Sequence, residues 1–123
     1  MIVTALADDG RDGERARDRL SEDALAAPHL IDIEVISAWR RLVAAGDLDE
    51  RRARLAMADL SELRIVRAAH LPLLERCWEL RPNLTTYDAA YVALSEALGT
   101  SLLTLDERIA RAPGVHCKVE VLR

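Results

Sequence analysis

Residues 84–106 read LTTYDAAYVALSEALGTSLLTLD, and two junctions in them decide the fold. Thr86 to Leu98 predicts a strong helix, opened by the capping-box pattern Thr85-x-x-Asp88 and stopped by Gly99. Ser101 to Leu105 then reads as a short buried strand, and Asp106 follows it directly. Each acid admits a plain structural role. Asp88 can satisfy backbone N–H groups at its helix start, and Asp106 with Glu107 can cap a short helix over Glu107 to Ala110. Against that, the run Ala89-Ala90-Tyr91-Val92-Ala93-Leu94 is apolar nearly all round, which puts Asp88 on a buried helix, dry or against a cavity.

Working outward, the flanking sequence repeats the alternation. Arg15 to Leu25 is an amphipathic helix, and Ala26 to His29 is a small-residue stretch that suits a short strand. Ile31 to Ala45 predicts a helix with Ile33, Ile36 and Val43 on its apolar stripe, interrupted by Arg40 and ended by Gly46. A second amphipathic helix runs from Leu48 to Leu60. Arg64 to Arg67 is β-like, Leu71 to Leu80 is a helix with Pro72 in its first turn, and Val115 to Leu122 alternates as a last strand. Short strands between helices point to an α/β domain with a largely parallel sheet. In such sheets ligands sit beyond the carboxyl ends of the strands, where Asp106 falls.

The chain has 123 residues, half of them hydrophobic and 31% charged, which suits one globular domain. No run approaches a membrane span, and the start lacks the basic and apolar segments of a secretory signal, so a cytoplasmic protein is expected. Cys77 and Cys117 have no CxxC spacing, which argues against structural zinc. A net charge of -4 argues against holding nucleic acid by bulk positive charge alone. An acidic chain still binds a polyanion when divalent metal stands before its carboxylates. Only Lys118 is a lysine; the other basic residues are arginines, which fork onto phosphates.

A third acid, Glu34, lies inside the Ile31 to Ala45 helix on a semi-apolar stripe with Leu30, Ser37 and Ala38. Its plain alternative is a surface network with arginine, Arg41 lying seven residues on. Burying a lone ionised glutamate is costly without compensation. Carboxylates brought together repel, and a hard divalent cation resolves the conflict. Oxygen-only ligation favours Mg²⁺, or Mn²⁺, over zinc, because His29, His70 and His116 lie near different elements.

The segments Ile33-Glu34-Val35-Ile36-Ser37, Leu84 to Leu94 and Leu102-Leu103-Thr104-Leu105-Asp106 together resemble the PIN-domain ribonucleases, specifically the VapC-type toxins of bacterial toxin–antitoxin pairs. The resemblance covers nearly the whole chain, and the middle motif is the most specific. It implies a three-layer α/β/α sandwich with a mostly parallel central sheet, one PIN-like nuclease domain over residues 1–123, and Mg²⁺-dependent endonuclease action on RNA. It also implies a cognate antitoxin over the acidic cleft; a homodimer is expected as well. Carried over, Glu34, Asp88 and Asp106 are the catalytic and metal-binding acids, with Thr104 supporting them by a hydrogen bond.

The N-terminus departs from that pattern. Such proteins usually begin with a short strand ending in an aspartate, but here Met1-Ile2-Val3 runs straight into Thr4 to Gly10. A short segment, the aspartate included, is absent between Val3 and Thr4, and Asp8 and Asp9 are poor substitutes for it. Either the sequence lacks a segment that the protein has, or the first ligand is truly missing. The awkwardness of a three-residue strand fused to a helix remnant favours the former; the latter would leave a binding module with impaired chemistry. A phosphorelay receiver domain has similar length and alternation. It would need an aspartate after the central strand, and Ala68-Ala69-His70 supplies none.

Overall fold

The computed structural model describes residues 11–21 and 24–122. The departure between Val3 and Thr4, with Asp8 and Asp9, lies outside them. In chain order the described elements are α1 (Arg11–Ser21), β1 (Leu25–Pro28), α2 (Ile31–Ala44), α3 (Glu50–Glu62), β2 (Ile65–Ala68), a 3₁₀ turn (Leu71–Leu73), α4 (Leu74–Glu79), α5 (Thr86–Leu98), β3 (Leu102–Thr104), α6 (Glu107–Arg111) and β4 (Val119–Val121). Two compact units organise them. One runs to Ala26 and takes in Ile31–Val66; the other takes in Ala27–Leu30 and Arg67–Arg123. No helix among the described residues is long and apolar enough to cross a membrane.

In the first unit, α2 packs on α3. The stripe that α2 buries is Ile31, Val35 and Trp39, at four-residue spacing, and not the expected Ile33, Ile36 and Val43. Ile33 is 71% exposed, whereas Trp39 is 2% exposed. The bulky indole sets the helix phase, because it removes far more apolar area from water than an isoleucine would. Past α2 the chain turns through Gly46 at φ +80. The Asp49 carboxylate accepts from the Arg51 N–H at 2.7 Å and caps α3. Ala53, Ala56 and Leu60 form the buried face of α3.

The second unit is built around α5. Ala89, Ala90, Val92, Ala93, Leu94 and Ser95 are all buried, as a helix apolar all round demands. Leu73, Cys77 and Leu80 from one side and Leu102 and Ile109 from the other complete this core. Pro72 lies in the 3₁₀ turn, so the expected helix from Leu71 divides into that turn and α4. Burial raises the Cys77 thiol above its ordinary range, which keeps it protonated and inert.

α5 ends at Gly99, in the left-handed region at φ +65. A Cβ there would meet nothing within 4 Å, so substitution costs backbone strain alone. Gly99→Ala is expected to lose about 1 kcal/mol of unfolding free energy, read from urea denaturation of the two proteins. An unchanged midpoint would show that the turn tolerates a side chain.

The chain then crosses into β3, which pairs in parallel with β4: Leu102 stands opposite Val119, Leu103 opposite Glu120 and Thr104 opposite Val121. Bonds from Leu102 N–H to the Lys118 carbonyl and from Leu122 N–H to the Thr104 carbonyl, each 2.9 Å, extend the ladder. β1 and β2 form a separate two-stranded pair among the described strands. The last strand is shorter than its alternating sequence predicts. Residues 113–116 are held by side chains: Arg76 Nη2 donates to the Gly114 carbonyl at 2.6 Å, and Asn83 Nδ2 to the Pro113 carbonyl at 3.1 Å.

Candidate active site

Asp88 stands in the first turn of α5, half-buried. The Thr85 hydroxyl accepts from the Asp88 backbone N–H at 3.2 Å, so one half of the expected capping box is formed. The reciprocal half is not. Among the described residues the Asp88 carboxylate makes no hydrogen bond and no ion pair, and the Arg108 guanidinium exerts a charge attraction toward it. A carboxylate left without a structural bond on the first turn of a buried helix is available for a ligand.

Asp106 follows β3 and caps α6. Its backbone N–H donates to the Thr104 hydroxyl at 3.0 Å, and its Oδ1 accepts from the Arg108 backbone N–H at 2.9 Å. The capping role matches the plain structural alternative for Asp106, and Thr104 bonds the Asp106 backbone. The arginine does not appear in the sequence-based picture. Arg108 forks onto the same carboxylate, Nε to Oδ1 at 3.0 Å and Nη2 to Oδ2 at 2.8 Å. These side-chain bonds, then the backbone bond from Arg108, hold the Asp106 carboxyl below its usual range. Arg108 is thus the paired counter-ion of Asp106, while toward Asp88 it exerts a weaker charge attraction without a bond.

Glu34 lies in the first turn of α2, half-buried, and belongs to the first unit. Among the described residues, no group of three or more His, Cys, Asp or Glu side chains is arranged to hold a metal ion. His29, His70 and His116 are exposed. The carboxylates of Asp88 and Asp106 suit a hard divalent ion, which needs only one or two such groups when water and phosphate oxygens complete its shell.

Trp39 is core, as described above. Trp78 is 68% exposed and carries the Arg81 guanidinium 4.3 Å from its ring centroid. Arg108 was hidden from sequence reading because nothing about an arginine in a short helix marks it. Its position two residues after Asp106, across a helix start, is the signal that could have found it.

The PIN domain model matches residues 1–115. The chain belongs to the PIN-domain family, in its VapC group. It is 45% identical over 123 residues to Ribonuclease VapC1 of Mycobacterium tuberculosis (strain H37Rv), spanning 99% of this chain and 92% of that one. It is 38% identical over 120 residues to the VapC ribonuclease Mb0985 of Mycobacterium bovis, spanning 98% and 91%. Ribonuclease VapC3 of M. tuberculosis is 41% identical over 101 residues, spanning 81% of this chain and 74% of its own. This PIN domain accordingly has the family's α/β sandwich fold, of which the helices and the parallel β3–β4 pair are parts. Family membership removes the receiver-domain alternative.

Proposed function

We propose that this chain is a metal-dependent endoribonuclease, a single nuclease domain acting as the toxin of a type II toxin–antitoxin pair. The observation that carries the reading is the unbonded Asp88 carboxylate, attracted by the same Arg108 that pairs with Asp106, in a chain that matches ribonucleases named VapC over nearly its whole length. Asp88 and Asp106 are the groups assigned to the metal, Mg²⁺ or Mn²⁺. Glu34 is assigned as the third acid on its motif. When bound, such an ion lowers the pKa of water and offsets charge that builds on a phosphodiester.

The protein's own part is positional. The Thr85 cap and the buried body of α5 fix the Asp88 backbone, so its carboxylate is presented without rearrangement. The Thr104 hydroxyl and the Arg108 N–H orient Asp106 at the carboxyl end of β3. A cognate antitoxin and an RNA substrate are the expected partners, with the cytoplasm as the expected compartment and a homodimer as the expected assembly.

The test is cleavage of a defined RNA by purified protein with added Mg²⁺, with Mn²⁺, and with EDTA. Cleavage that needs the metal and stops in EDTA supports the reading. Antitoxin binding without metal-dependent cleavage would instead identify a binding module that has lost its chemistry.

A further inference from the structure

We propose that Arg108 is a built-in counter-ion of the site, forked onto Asp106 and competing with an incoming divalent metal for that carboxylate. The inference rests on the nuclease reading and adds a control on metal loading. Both oxygens of Asp106 are occupied by Arg108: Nε reaches Oδ1 at 3.0 Å and Oδ2 at 3.2 Å, Nη2 reaches Oδ2 at 2.8 Å, and the backbone N–H reaches Oδ1 at 2.9 Å. The fork fixes the geometry of the pair on both oxygens. A metal that takes Asp106 as a ligand meets a guanidinium already in place.

The two sides of the pair differ in freedom. The Arg108 side chain is 90% exposed, that of Asp106 only 30%. Asp106 is tied down twice through the backbone, by its own N–H on Thr104 and by the Arg108 N–H on Oδ1. The guanidinium is therefore the partner that leaves, and an exposed ion pair costs little to open. The backbone bond to Oδ1 survives its departure, so the carboxylate stays aimed while Oδ2 is handed over. Before loading, the same guanidinium attracts Asp88 as well.

Calorimetric titration of the full chain with Mn²⁺ alone tests this. Arg108→Ala is expected to bind Mn²⁺ about two- to fivefold more tightly than the unaltered protein, the size an exposed ion pair implies. Arg108→Lys keeps the charge but loses the fork, so its affinity should fall between the two. Thermal melting by circular dichroism verifies that each variant is folded, and Asp88→Asn serves as the control that should bind weakly. Equal affinity in all three Arg108 forms overturns the competition, and a lysine form that matches the unaltered protein while alanine alone is tighter overturns the fork as its cause. In both cases the nuclease reading stands, provided Asp88→Asn still weakens binding. No Mn²⁺ uptake by the unaltered protein overturns both.

Discussion

Asp88→Ala should abolish RNA cleavage, by on the order of 100-fold or more, and leave the fold as it was. The two halves of that expectation have separate causes. Activity falls because the carboxylate assigned to the metal is gone. Stability holds because the carboxylate makes no hydrogen bond among the described residues, and the Thr85 hydroxyl continues to accept from the residue 88 backbone N–H. The change in unfolding free energy should stay within about 0.5 kcal/mol. Paired measurements of cleavage rate and urea midpoint decide the matter, and undiminished cleavage would remove Asp88 from the site. Asp106 is the poorer residue for this test, since its replacement also deletes the α6 cap and the Arg108 pair.

Arg76→Ala should be the most destabilising polar substitution in the second unit, by about 2–3 kcal/mol after allowance for partial exposure. Arg76 in α4 reaches Glu96 in α5 through Nε to Oε1 at 2.7 Å and Nη2 to Oε2 at 3.1 Å, and it also holds Glu79 and the Gly114 carbonyl. The His116 backbone N–H completes Glu96 at 2.8 Å. The Arg76 and Glu96 side chains are 25% and 16% exposed, so deleting the arginine strands a mostly buried carboxylate. That carboxylate also lies near the C-terminus of α5, where the helix dipole disfavours an acid.

Acidification should have the same signature. The Arg76 hydrogen bonds hold the Glu96 pKa below its ordinary value. A depressed carboxyl stabilises the fold in full above its unfolded pKa of about 4.3 and loses that contribution as pH falls through the lower folded value. The melting-temperature advantage of the unaltered protein over Glu96→Gln should be flat above about pH 5 and shrink below pH 4. An advantage unchanged down to pH 2 would show that the pair contributes nothing through ionisation.

What could be read from the sequence was local. The bounds of α5 follow from Thr85 and Gly99, and its burial from the absence of a polar stripe between Ala89 and Leu94. The position of Asp106 after a strand follows from the apolar run before it. The face of α2 was misjudged because Ile33 and Ile36 are apolar yet exposed, and hydrophobicity without a size-weighted phase does not separate them from Ile31, Val35 and Trp39. Val115 to Cys117 alternate like a strand, but the Glu96 carboxylate takes the His116 N–H and Arg76 holds the carbonyl of Gly114 just before them. The Arg76–Glu96 pair spans 20 residues of sequence, and no local pattern announces such a partner.

The parallel register of β3 with β4 ties the carboxyl end of β3, and so Asp106, to a strand that comes later in the chain. A nascent chain that ends before Val119 has β3 without the only neighbour it has among the described strands, and its edge N–H and C=O groups turn to water or to another chain. The hydrogen bonds that fasten Gly114 and His116 also wait until those residues emerge from the ribosome. The carboxyl end of β3 is therefore completed by contacts that arrive later in the chain than Asp106 itself.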